Sequence, residues 1–134
     1  MRLIRQRLYN DCGVAAIAMV AGVSYEKALA ALPPDIRKRF DPTRRFKTGL
    51  STREVANALE VLGHKSDRRL RPLRKQQLFD IRGRAILCVR FPGSKKTDNW
   101  HWVAWCGDEM KMLDPATQLE KYTVHSYIRV WRDA

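Results

Sequence analysis

Asp11-Cys-Gly-Val-Ala-Ala-Ile-Ala-Met-Val-Ala-Gly22 decides how the rest of the chain is read. Asp11 stands where a helix cap belongs, and Gly22 stands where a helix stops. The residues between them are apolar on nearly every face. A helix of that composition belongs in the middle of a domain, not on its surface. The run is too short to cross a membrane. The polar pair Asn10-Asp11 sits where the apolar region of a signal peptide should already have begun. The expectation is a buried helix over 12–21 in a soluble protein with no targeting segment.

Downstream of this helix, Ser24 caps a second one to residue 32, closed by Pro33-Pro34. Residues 40–49 are polar and basic and read as a loop. Ser51-Thr-Arg-Glu54 is a capping box opening a helix to Gly63, with Val55, Leu59 and Leu62 on one stripe. Residues 72–79 suit a short helix. The pattern then changes to strand formers. Residues 85–91 form one strand, Pro92-Gly93-Ser94 a turn, 100–106 a second strand and 110–113 a third, after a Gly107-Asp108 turn. The stretch 123–130 reads as a last helical or turn segment. Helices followed by an antiparallel meander make an α+β fold, with N-terminal helices packed on a C-terminal sheet. At 134 residues, residues 1–134 form a single domain.

The formal net charge is +12. Residues 35–96 hold 18 Lys and Arg against 6 Asp and Glu, so the middle of the chain carries the whole surplus. Such a segment is either a solvated basic face or a surface for nucleic acid or an acidic protein partner. Three cysteines, Cys12, Cys88 and Cys106, do not make a disulfide framework and fit a reducing, cytoplasmic compartment. With no Cys-x-x-Cys pair and three widely spaced histidines, neither a metal site nor another cofactor is expected.

Chemistry concentrates in a few residues. Cys12 falls in the first helical turn, where unpaired N–H groups and the helix dipole favour a thiolate. A small buried side chain would suit the same position. His101 lies in the second strand, opposite in face to Trp100 and Trp102, as a general base or as a satisfied core residue. Asp114, fixed in extended backbone by Pro115, is placed to orient a histidine on the neighbouring strand, although Asp-Pro is also a common strand exit. Gln6 is a candidate oxyanion donor with the Cys12 amide, or an ordinary surface residue. Gly13 leaves room for a substrate backbone, and Trp102 is a candidate wall of the cleft. Cys88 reads as an inert buried thiol.

Taken in order, Gln6, Asp11-Cys12-Gly13, His101-Trp102-Val103 and Asp114-Pro115 form a pattern. It resembles papain-like cysteine peptidases of the bacteriocin-processing kind, which cleave leader peptides after two glycines. The helix from Ser51 and the stretch 125–131 are also similar to that family's layout. The resemblance implies a papain-like fold and a peptide or protein substrate. Cys12 would be the nucleophile, His101 the proton carrier and Asp114 its orienter, with Gln6 an oxyanion donor. Leader peptidases usually precede a large transporter. The expectation here is a free-standing version, redirected to another peptide or to acyl transfer through the same thioester.

Overall fold

A computed structural model describes residues 1–44, 48–74, 77–90, 100–117 and 123–132. The expected turn at Pro92-Gly93-Ser94 lies outside them. The first helix, α1, runs over Cys12–Ala21, and every side chain from Cys12 to Val20 is buried. Gly22 ends it in the left-handed region at φ 68, its N–H returned to the carbonyls of Ala18 and Met19. Helix α2 covers Tyr25–Ala30, shorter than expected, with the Ser24 side chain accepting from the Lys27 N–H. The expected stop at Pro33-Pro34 begins a further short helix, α3 (Pro34–Arg37), because a proline in the first turn forfeits no helical hydrogen bond. Helix α4 spans Thr52–Val61 behind the complete Ser51–Glu54 capping box.

Two short strands follow, β1 (Lys65–Ser66) and β2 (Arg71–Pro72). Of the helix expected over 72–79, only a single 3-10 turn at Leu78–Asp80 is present among the described residues. Strands β3 (Arg84–Arg90), β4 (Trp100–Cys106) and β5 (Lys111–Leu113) form the expected antiparallel meander. The reading of 123–130 as helix or turn is corrected: Thr123–Trp131 is β6, the longest strand. It inserts between β1 and β3, giving the order β1-β6-β3-β4-β5, and also pairs with β2.

The sheet separates two cores. On the helical side Ile86, Cys88, Trp102, Ala104, Ile128 and Val130 pack with α1, α2 and α4. Helix α1, sandwiched between the sheet and the other helices, needs its all-round apolar surface. On the opposite side Ala85, Leu87, Val89, Val103, Trp105 and Tyr127 are covered by the segment around Leu73, Leu78 and Ile81. The indole of Trp105 donates to the Ile81 carbonyl at 2.9 Å. The architecture is thus a mixed helix and antiparallel-sheet fold. Among the described residues no helix is long and apolar enough to cross a membrane.

Candidate active site

Strand β5 stops opposite Ala104. This leaves the outer edge of β4 open at its beginning, and the N-terminus of α1 fills the gap. Cys12 Sγ accepts a hydrogen bond from the backbone N–H of Trp102 at 3.5 Å, as a strand partner would. The sulfur is 90 sequence positions from that donor, so only the packing of α1 on β4 brings the two together.

His101, one residue earlier on β4, is 6% exposed. Its Nε2 meets Asp114 Oδ1 at 2.6 Å, and its ring is hydrogen-bonded to Cys12 as well. With Nε2 taken by Asp114, the nitrogen facing the sulfur is Nδ1. Asp114 follows β5 and is 2% exposed; its Oδ1 also accepts from the Ala116 N–H at 2.9 Å. Burial pushes the imidazole towards its neutral form. The hydrogen bonds and charges of Asp114 and Cys12 outweigh burial and raise the pKa of His101 to about 9. The three residues that the sequence put in one constellation are therefore in contact.

Asp11, expected as the cap of α1, makes no side-chain capping bond. Its carboxylate turns back instead, accepting from the N–H groups of Arg7 (3.0 Å) and Leu8 (3.0 Å) and from the Tyr25 hydroxyl (2.6 Å). Asn10 reaches the other way, donating to the carbonyls of Arg39 (2.9 Å) and Thr48 (3.0 Å). Together the pair fixes the turn that delivers Cys12. Asn10 and Tyr25 are functional neighbours that sequence reasoning missed. Two polar residues immediately before a fully apolar helix were the available signal for Asn10; nothing local marks Tyr25.

Gln6 is tied to the site through its backbone, whose N–H donates to the Pro115 carbonyl at 3.0 Å. Its side-chain Nε2 donates to the carbonyls of Leu8 (2.8 Å) and Tyr9 (3.4 Å). To serve an oxyanion, that amide must give up at least the longer bond. Gly13 is buried, and a Cβ there would lie 3.1 Å from both Leu50 Cδ1 and Trp102 Cδ1. The space expected to admit a substrate backbone is occupied by these two side chains. Trp102, 9% exposed, donates its indole N–H to the Leu50 carbonyl at 2.9 Å. It packs the back of the site more than it lines an open wall.

All three cysteines are free and buried. Cys88 sits in the same core cluster as Cys12. Burial pushes its thiol up to about 12, despite a hydrogen bond with Ser126, which leaves it unreactive beside Cys12. Among the described residues no group of three or more His, Cys, Asp or Glu side chains is placed to hold a metal ion. No protein-family model matches the chain, and no curated protein matches it significantly.

Proposed function

We propose that the protein is a papain-like cysteine hydrolase that cleaves a peptide or related acyl bond. The observation that carries this reading is the buried chain of contacts from Cys12 through His101 to Asp114, with the His101–Asp114 bond at 2.6 Å. A structural histidine needs one hydrogen-bond partner. This one has a carboxylate on one nitrogen and, on the other, a thiol at a helix N-terminus.

In the proposed reaction His101 carries the proton and Cys12 Sγ attacks the carbonyl carbon as a thiolate. The carbon–sulfur bond forms as the carbonyl π electrons move to oxygen. The resulting oxyanion lies near the first turn of α1, where the Cys12 N–H points outward. On collapse, the C–N bond breaks and Nδ1 of His101 passes its proton to the departing amine, leaving a thioester. Neutral His101 then takes a proton from water, whose oxygen attacks the thioester. The acid departs, and sulfur and imidazolium are restored. Asp114 stays ionised throughout, holding the ring in orientation and offsetting its charge. An amine in place of water makes the same thioester an acyl donor. A leader-type substrate ending in Gly-Gly is the starting choice, given the sequence pattern around Cys12.

Labelling with a thiol-reactive peptide electrophile tests the proposal. Modification of Cys12 is expected, with loss of labelling in Cys12→Ala and strong slowing in His101→Ala, while Cys88 and Cys106 stay unmodified. Labelling spread evenly over the three cysteines, or a Cys12 rate indifferent to His101, would overturn it.

A further inference from the structure

Helices α1, α2 and α4 each start behind a residue of the kind that caps, and α1 alone of the three is left uncapped. Ser24 and Ser51 stand in extended backbone, at ψ 160 and 165, and each side chain accepts from the N–H three residues on. That is the conformation a cap needs. Asp11 stands at ψ 21 and makes no such bond, although its carboxylate is fully buried one residue from Cys12. Its backbone carbonyl still accepts the first helical bond, from the Ala15 N–H at 3.2 Å. The N–H groups of Cys12, Gly13 and Val14 are thus without a helical acceptor, and no side chain among the described residues caps them.

The start of α2 holds Asp11 away. Tyr25 is the first residue of that helix and is buried, and its hydroxyl donates to Asp11 Oδ2 at 2.6 Å. The same oxygen accepts from the Arg7 N–H, and Oδ1 accepts from the Leu8 N–H, both at 3.0 Å. Arg7 lays its guanidinium 4.1 Å from the centre of the Tyr25 ring and reaches on to Glu26, which clamps the ring in place. Burial, then the bond to Asp11, push the Tyr25 hydroxyl above the ordinary tyrosine range, so it stays a donor. Gln6 does not make up for a lost donor at the start of α1, since its amide already serves the carbonyls of Leu8 and Tyr9.

We propose that Tyr25 is a positioning residue: by holding the Asp11 carboxylate turned back, it keeps the first-turn N–H groups of α1 open for the oxyanion formed at Cys12. The role rests on the hydrolase reading. A carboxylate that capped α1 would accept from the N–H of Gly13 or Val14. It would also set a negative charge where the sulfur and then the carbonyl oxygen become negative during the reaction. A helix ordinarily gains stability from such a cap, as α2 and α4 do from Ser24 and Ser51. The chain forgoes that gain at the helix start that carries Cys12, and it spends a buried tyrosine, an arginine and two backbone N–H groups to do so.

The test compares the full chain with Tyr25→Phe and with Tyr25→Phe combined with Asp11→Ala. The phenyl ring keeps the packing and the Arg7 contact and loses only the hydroxyl. Backbone amide NMR comes first. In Tyr25→Phe the Gly13 or Val14 amide proton is expected to move downfield as the Asp11 carboxylate ionises, a shift absent from the parent and from the double variant. Affinity comes second, for a Gly-Gly peptide aldehyde, whose adduct with Cys12 carries the tetrahedral oxygen, and for the matching alcohol, which forms no adduct. Tyr25→Phe should weaken the aldehyde about 10²-fold, the effect of one lost oxyanion donor, and spare the alcohol. Adding Asp11→Ala removes the competing acceptor and should restore the ratio of the two affinities. A merely structural role predicts the reverse, since the double variant loosens the turn further. The amide shifts need no reaction at Cys12, so they judge Tyr25 even where the hydrolase reading fails, and that failure shows as a parent that binds aldehyde and alcohol alike. Unmoved Gly13 and Val14 amides in Tyr25→Phe, an equal loss of aldehyde and alcohol, or a double variant weaker for the aldehyde than Tyr25→Phe would overturn the proposal.

Discussion

The two ends of α1 each hold a buried histidine, and the two histidines are driven in opposite directions. His101 and His64 are almost equally hidden, at 6% and 7% exposure. Burial pushes both towards the neutral ring. At the N-terminal end a carboxylate and a thiol on either side of His101 reverse that push and raise it to about 9. At the C-terminal end Arg132 and Arg84 add to it, and His64 falls. The charge of the neighbours, not the depth of burial, decides the state of the ring. One end of the helix is arranged to hold a proton next to a sulfur. The other keeps an imidazole neutral beside two arginines that meet no carboxylate among the described residues.

The sharpest way to break this comparison is to remove the carboxylate that distinguishes the two ends. Asp114→Asn keeps the shape of the side chain but takes away the charge that outweighs burial, so His101 should titrate near or below its ordinary value, as His64 does. The rate of Cys12 labelling at neutral pH, and any turnover that depends on it, should fall by about 10²–10⁴-fold. Circular dichroism should show the fold retained. An unchanged rate in a folded variant would mean that Asp114 does not set the state of His101.

A second, smaller effect appears in stability against pH. His101 binds its proton more tightly folded than unfolded. The stability it lends is complete below its unfolded value of about 6.5 and is lost as pH rises through about 9. His64 has the opposite sign: its contribution is complete above about 6.5 and is lost as pH falls below it. Denaturant midpoints measured across this range should fall on both sides of a maximum. Asp114→Asn should remove the alkaline limb selectively, and His64→Asn should blunt the acidic one. Limbs that respond to the wrong variant would reassign the two titrations.

Much of this arrangement is legible in the sequence, and the failures have identifiable causes. Local signals worked where the determinant is local: the apolar run closed by Gly22, the Ser51–Glu54 box and the strand-forming Trp100–Cys106. Cys12, His101 and Asp114 were gathered differently, by their joint order along the chain, because each alone also suits an ordinary core or turn residue. Strand β6 was misread although Val124, Ser126, Ile128 and Val130 alternate along it. Its pairing with β3 shifts register between Cys88 and Val89, skipping His125, and the burial pattern loses its period of two there. Its place between β1 and β3 is set by partners 33 to 66 residues away, from Arg90↔Thr123 to Lys65↔Trp131, which no window along the chain reports. Asp11 was misassigned for a related reason. A carboxylate beside a helix start has several donors within reach, and the choice fell to Arg7, Leu8 and Tyr25.

The mildest test uses the two glycines of the helix ends. At Gly13 an added methyl would press on Leu50 and Trp102, each 3.1 Å away. Trp102 carries the N–H that holds the Cys12 sulfur, so Gly13→Ala should cost about 1–3 kcal/mol of stability and also slow labelling. At Gly22 the nearest atom is Arg84 Nη1 at 3.9 Å, so space is not the obstacle. The cost comes from the left-handed backbone at φ 68, about 1 kcal/mol for a side chain with a Cβ. Gly22→Ala should therefore lower the denaturant midpoint slightly and leave the Cys12 labelling rate as it was. If both substitutions slowed labelling alike, strain at one end would be reaching the other through the rigid, fully buried helix. The two ends would then have to be treated as one coupled site.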